Sequence, residues 1–209
     1  MINKRILVLA PHTDDGELGC GGTINKLIAE GNEVFYVAFS TCEESVPAGF
    51  PKNALELEVK DATKVLGIKP ENLIIMPYKV RKFSSVRQEI LEDMVRLRSE
   101  LKPDIIFMPC SNALHQDHHA IYSEGIRAYK HLTIYGYDLP WDTVEFRTTS
   151  FFKLEKENVD KKAEAMRCYK TQNFRSYVDD EFIFGLARVR GAQIATRYAE
   201  AFEMIRIIQ

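Results

Sequence analysis

The sequence predicts an α/β protein built on a mostly parallel sheet. Two observations carry the prediction. Over the first two-thirds of the 209 residues, short apolar, β-branched runs alternate with longer amphipathic ones, the pattern of strands joined by right-handed helical crossovers. Two of the strand-like runs also end in dense groups of histidines and acids, where ligands gather in open parallel sheets.

"RILVLA" (5–10) reads as a buried strand. An acidic, glycine-rich loop follows, then a helix through "TINKLIAEG" (23–31). "EVFYVAFS" (33–40) is a second strand, closed by a polar loop holding Pro47, Gly49 and Pro51. In "ALELEVKDATKVLGI" (54–68), Leu55, Val59, Ala62, Val65 and Leu66 share one helical face, and Gly67 stops the helix. "NLIIMP" (72–77) is a third strand and "VRQEILEDMVRLRSEL" (86–101) a charged amphipathic helix. "DIIFMPC" (104–110) and "QDHHAIYSEGIRAYKHL" (116–132) repeat the strand–helix pair. Beyond residue 132 the rhythm changes. "TIYGYDLP" (133–140) and "EFRTTSFFKL" (145–154) read as strands and "VDKKAEAMRCYKTQ" (159–172) as a helix, and the end mixes both signals. No composition shift marks a boundary, so residues 1–209 are expected to form one domain, with a core over about 1–132 and a cap over about 133–209.

Composition narrows the function classes. Hydrophobic residues at 45% and charged residues at 28% are ordinary for a globular protein. The net charge of −2 gives no basic excess for nucleic acid. No run is apolar for long enough to cross a bilayer, and the N-terminus lacks a signal-peptide pattern. Cys20, Cys42, Cys110 and Cys168 are scattered, without a paired motif. Buried free thiols in a cytoplasmic protein are the expectation.

The chemistry concentrates in two stretches. "APHTDDGELGCGG" (10–22) places His12, Asp14, Asp15 and Glu17 directly after the first strand. "CSNALHQDHH" (110–119) places His115, Asp117, His118 and His119 after the fourth. If both strands are central, the two loops share one edge of the sheet. Imidazole nitrogens with carboxylate oxygens suit zinc, and a catalytic zinc takes three protein ligands and keeps one position open. The surplus acids and imidazoles then supply a base for water and a group to stabilise an oxyanion. A dinucleotide fingerprint would instead place G-x-G-x-x-G straight after the strand. Here carboxylates occupy the place of the pyrophosphate and would repel it. Gly19, Gly21 and Gly22 are expected to supply positive φ and close backbone approach.

"PHTDDGELGCGGTI" resembles the signature loop of the LmbE-like (PIG-L-related) zinc-dependent N-deacetylases, usually His-Pro-Asp-Asp-x-Glu-x-G-x-G-G, and "HQDHH" resembles their His-x-Asp-His motif. "KPDIIFMP", "EVKDATKVLGI", "RCYKTQ" and "RYAEAFE" match further segments, so the resemblance covers nearly the whole chain. It implies a Rossmann-like three-layer sandwich and hydrolysis of an N-acetyl group from an amino sugar or its conjugate. It implies Zn2+, or another divalent metal, held by His12, Asp15 and His118. Asp14 would be the general base, His115 the oxyanion stabiliser, and Asp117 a carboxylate that orients one imidazole. Relatives of this kind commonly form trimers or hexamers, so a homo-oligomer is a further expectation.

The sequence departs from that pattern at Thr13, where a proline is usual, and at Leu55, where an arginine often stands near the sugar. "YKVRKF" (78–83) replaces a segment that usually carries an Asp, and its Lys79, Arg81 and Lys82 form either a solvated loop surface or a contact for an anionic, nucleotide-linked sugar. Plainer readings stand beside these. Asp117 suits a helix N-cap, Glu17 a turn cap, His119 a helix surface, and the aromatic "RYAEAFE", at helical spacing, a core helix from which Tyr198 and Glu200 help close the pocket. The competing functions are a Rossmann-type nucleotide- or cofactor-binding module and a non-catalytic metal-binding relative.

Overall fold

A computed structural model describes residues 2–208. They form β1 (Arg5–Ala10), α1 (Asp15–Ala29), β2 (Glu33–Ala38), α2 (Ala54–Leu66), β3 (Leu73–Ile75), α3 (Arg87–Leu101), β4 (Ile105–Pro109) and α4 (Gln116–Ala128). Next come β5 (Thr133–Tyr137), β6 (Ser150–Leu154), α5 (Lys156–Met166), α6 (Asp180–Ala192) and β7 (Tyr198–Arg206).

The strands make one seven-stranded sheet in the order β3-β2-β1-β4-β5-β7-β6. β1 to β5 are parallel, while β7 runs antiparallel to both β5 and β6. The sheet is therefore mostly parallel, as the sequence predicts. Its two-residue side-chain period sorts the core into two layers. Ile6, Val8 and Ala10 of β1 pack with α1, α2, α5 and α6 on one face, whereas Leu7 and Leu9 pack with α3 and α4 on the other. Both faces of β1 are covered, which is why "RILVLA" reads as a continuous apolar run.

Chain order reverses at β1, which lies between β2 and β4. The carboxyl ends of β1 and β4 therefore flank the crevice in which ligands of such sheets bind.

Several elements differ from the sequence reading. The glycine stretch is helical rather than a loop: α1 begins at Asp15 and runs through Gly16, Gly19, Gly21 and Gly22, with a kink at Cys20 (φ −148°). None of these four glycines has positive φ, which occurs among the described glycines at Gly31, Gly49 and Gly67. Their small size serves packing. A Cβ built on Gly16 would fall onto the Tyr36 ring, and one on Gly19 onto the Tyr137 ring.

"RYAEAFE" forms most of β7, a strand rather than a helix, because β5 and β6 pair with it on both sides. Glu200 does not reach the cleft. It accepts the Gly22 amide at 3.1 Å and the Thr23 amide at 2.6 Å, capping the part of α1 beyond the kink, and pairs with buried Lys162 at 2.7 Å. Residues 145–149 stay outside β6, and the expected helix over 159–172 is α5 followed by a short 3-10 turn at Lys170–Gln172. Cys20, Cys42 and Cys110 are buried free thiols, and Cys168 is half-buried. Among the described residues, no helix is long and apolar enough to cross a membrane.

Candidate metal centre and active site

β1 delivers His12 and β4 delivers His115 and His118 to the same crevice, where Asp14 and Asp15 join them. The tightest contact is three-sided. His12 Nδ1 lies 3.1 Å from Asp15 Oδ2, His118 Nε2 lies 3.1 Å from the same oxygen, and the two nitrogens are 3.2 Å apart. Two donors on one tetrahedral zinc, with bonds of about 2.0–2.1 Å, stand roughly 3.3 Å apart. Two nitrogens and a carboxylate oxygen are also the donor chemistry zinc takes. The three residues fit such an ion in both spacing and type.

Each imidazole is fixed from behind. His12 Nε2 stands 3.1 Å from Asp117 Oδ2, and His118 Nδ1 stands 2.7 Å from Asp142 Oδ2. With an ion in place of the inner proton of each ring, the proton kept at the outer carboxylate would leave His12 Nδ1 and His118 Nε2 as the ligating nitrogens. Asp117 is fully buried and also accepts the backbone amides of Arg81 at 2.5 Å and Phe83 at 3.2 Å. Asp142 also accepts the His115 amide at 2.8 Å.

The position of His115 differs in kind. It is the N-cap of α4, a role the sequence suggests for Asp117, and its Nδ1 accepts the Asp117 amide at 3.1 Å. The ring proton then sits on Nε2. His12, His115 and His118 can each present one nitrogen within 4.8 Å of the others. That spacing is looser than the triangle closed by Asp15.

Electrostatics separates the groups further. Burial pushes the His12 and His118 imidazoliums down, but the Asp15 carboxylate leads the charges that outweigh it, leaving them at about 9 and about 10. The same imidazoles hold Asp15 well below the usual carboxylate range against the pull of burial. Burial, followed by the charge of Asp15, raises Asp14 to about 6. Burial and the two neighbouring imidazoles lower His115. Asp14 makes no capping bond to α1, so its carboxylate is not used up by the helix.

Glu17 lies outside the centre. Fully buried, it contacts the hydroxyls of Tyr36 and Tyr169 (2.8 Å to the latter), and burial pushes it to about 8. Both hydroxyls also reach the Thr13 carbonyl, at 2.9 and 2.7 Å, and so brace the loop that carries His12. His119 is exposed on α4.

The cleft over the centre encloses about 280 Å³. Leu55 and Arg81 line it, whereas Lys79 and Lys82 do not. Among the lining residues that escaped the sequence reading are four with polar or aromatic side chains: Trp141, Asp142, Arg175 and Tyr177. Trp141 and Tyr177 stack at 3.6 Å between ring centroids, 7° from parallel. All four come from the irregular segments after β5 and α5, where no periodicity or motif spacing announces a site. Only "DLPWD", a polar and aromatic group at a strand's carboxyl end, offered a signal for Asp142.

Comparison with known proteins places the chain in a family. A family model described as PIG-L: GlcNAc-PI de-N-acetylase matches residues 7–129, a segment that includes both histidine- and acid-rich stretches. The chain is 26% identical over 176 residues to the uncharacterized deacetylase YaiS of Escherichia coli, covering 81% of this chain and 93% of that one. It is 27% identical over 117 residues to the diacetylchitobiose deacetylase of Thermococcus kodakarensis, covering 51% of this chain and 40% of that enzyme. Among solved structures, the conserved protein TT1542 from Thermus thermophilus superposes with a TM-score of 0.83 at 25% identity, over 100% of this chain and 97% of that one.

Proposed function

Because the chain belongs to the PIG-L (GlcNAc-PI de-N-acetylase) family, we propose that it is a metal-dependent N-deacetylase that hydrolyses the acetamide of an amino sugar or its conjugate. The observation that carries this reading is the triangle of His12 Nδ1, Asp15 Oδ2 and His118 Nε2, with edges of 3.1–3.2 Å and both outer ring nitrogens held by carboxylates. These three residues would hold the ion, zinc by donor type. A divalent metal there supplies Lewis-acid polarisation of the amide carbonyl and acidifies water at neutral pH.

The remaining steps belong to the chain. Asp14, with a pKa of about 6, is ionised at neutral pH and close enough to neutrality to accept a proton from the attacking water. It then returns that proton to the departing amine nitrogen. His115 is held with its Nδ1 as acceptor, so its Nε2–H donates toward the oxygen that becomes negative at the tetrahedral stage. Asp117 and Asp142 fix the tautomers of His12 and His118. The stacked Trp141–Tyr177 pair and Leu55 offer an apolar wall beside the reacting amide, suited to the face of a sugar ring. The diacetylchitobiose deacetylase relative supports an N-acetylated amino sugar as the substrate class.

A Rossmann-type cofactor module is the weaker reading, because Asp14 at the N-cap and Asp15 and Glu17 in the first turn of α1 stand where a pyrophosphate would sit. The test is an acetate-release screen of N-acetylglucosamine, diacetylchitobiose and their conjugates with zinc-loaded protein. Stoichiometric acetate and free amine are expected. Tight binding of a dinucleotide with no acetate from any member would overturn the reading.

A further inference from the structure

Two guanidiniums line the cleft, and neither has a carboxylate within ion-pair distance among the described residues: Arg81 and Arg175. Arg175 is held in place by a chain of buried side chains that begins on α2. Glu58 accepts the Thr171 amide at 3.0 Å and the Thr171 hydroxyl at 2.6 Å. Gln172 donates from Nε2 to Thr171 Oγ1 at 3.0 Å and accepts Arg175 Nε at 2.7 Å through Oε1. Glu58, Thr171 and Gln172 are all buried. The guanidinium also lies 5.0 Å from the Phe174 ring and 5.6 Å from the Tyr177 ring. Apart from Gln172 and Tyr177, it has no polar partner among the described residues. A guanidinium anchored at Nε keeps its two-nitrogen end for a planar or tetrahedral anion.

Arg81 is fixed by its backbone instead. Its φ is 64°, in the left-handed region, and its amide donates to Asp117, the carboxylate behind His12. A non-glycine residue there is strained and persists only when the surroundings hold it. Its side chain has one long contact, 3.4 Å from Nη1 to Ser45 Oγ.

We propose that Arg175, together with Arg81, binds an anionic group of the substrate, a carboxylate or a phosphate, so that the cleft takes an acidic N-acetylated sugar. The proposal rests on the deacetylase reading above and names its substrate class. Arg175 also lies near Asp14 and favours its charge. The two roles separate in kinetics. Charge balance at Asp14 would alter kcat for every substrate alike, whereas anion recognition alters KM for acidic substrates alone.

The test compares N-acetylglucosamine with N-acetylglucosamine 6-phosphate and N-acetylmuramic acid, using zinc-loaded parent protein and the variants R175Q, R175K and R81Q. Acetate release gives kcat and KM. Calorimetry gives affinity independently of turnover, and fluorescence of Trp141, the single tryptophan, reports occupancy of the cleft. The parent is expected to favour one acidic probe at least fivefold in KM, and the preferred probe tells phosphate from carboxylate. R175Q should raise KM for that probe about five- to tenfold and leave KM for the neutral sugar within twofold, while any change in kcat is common to both sugars. R175K should recover part of the loss. A parent indifferent to charge, or R175Q shifts equal for neutral and acidic sugars, would overturn the proposal. Preferential binding of an acidic sugar, weakened by R175Q but with no acetate released, would sustain the anion site and sink the deacetylase reading.

Discussion

The fully buried Asp117 carboxylate lies 3.1 Å from His12 Nε2 and holds that ring with its other nitrogen facing Asp15 and His118. Two backbone amides, from Arg81 and Phe83, hold the carboxylate in turn. The orientation of His12 is thereby set by the loop after β3, through those two amides, and by the first turn of α4, which carries Asp117 beside His118.

Asp117→Asn should keep the fold and weaken metal binding about 10- to 100-fold, the usual effect of removing a carboxylate behind a ligating imidazole. Competition with a chelator of known affinity measures it. An unchanged affinity would mean that His12 is oriented by something else.

Asp14→Asn and Asp15→Asn should fail in different ways. The first should retain close to one metal per chain and lose about 10²–10⁴-fold in kcat, as expected when a positioned base is removed. The second should lose the metal, because one edge of the donor triangle is gone. Metal analysis beside acetate release separates them, and the reverse pattern would exchange the two roles.

The pH profile follows from the Asp14 pKa of about 6. A base must be deprotonated to act, so kcat/KM should rise with pH and level off above a midpoint near 6 or somewhat lower, since a bound cation favours the carboxylate. A rate that falls as pH rises from 5 to 7 would contradict Asp14 as the base.

Metal binding should depend steeply on pH. His12 at about 9 and His118 at about 10 are protonated at neutral pH in the metal-free protein. Both must give up a proton at the ligating nitrogen, so affinity should rise up to about 100-fold per pH unit near pH 7, with up to two protons released per ion. Calorimetry in buffers of different ionisation enthalpy counts the protons. A count of zero would show that the imidazoles are already neutral.

Two glycines should respond to alanine in opposite directions. Gly19→Ala drives a methyl group into the Tyr137 ring and should cost about 1–3 kcal/mol. In α6, exposed Gly185 has open space around it, so Gly185→Ala should stabilise by about 0.5–1 kcal/mol through helix propensity. At this chain length each kcal/mol moves Tm by about 2–4 °C, measurable by calorimetry.

The parallel half of the sheet was legible because β1, β2 and β4 are buried on both faces and their helices keep a 3.6-residue period. The meeting of His12, Asp15 and His118 was legible because the two motifs place them within a few residues of the carboxyl ends of β1 and β4, neighbouring strands of the sheet. The glycine stretch misled because helix propensity opposes glycine, while Tyr36 and Tyr137 demand it at Gly16 and Gly19. β7 misled because burial between β5 and β6 decided its conformation, and alternation in "RYAEAFE" resembles helical spacing over so short a run. Trp141 and Arg175 were illegible, and Asp142 nearly so, for a different reason. They enter the cleft from irregular chain, where position depends on tertiary bonds such as those of Glu58, Thr171 and Gln172.

The central claim is that His12, Asp15 and His118 hold one catalytic ion. Anomalous diffraction from crystals of zinc-loaded protein, collected above and below the zinc edge, tests it most directly. The predicted result is one peak per chain, within bonding distance of His12 Nδ1, Asp15 Oδ2 and His118 Nε2, with His115 left outside the coordination. A peak ligated by His115 in place of Asp15, or no peak in crystals of active protein, would contradict it.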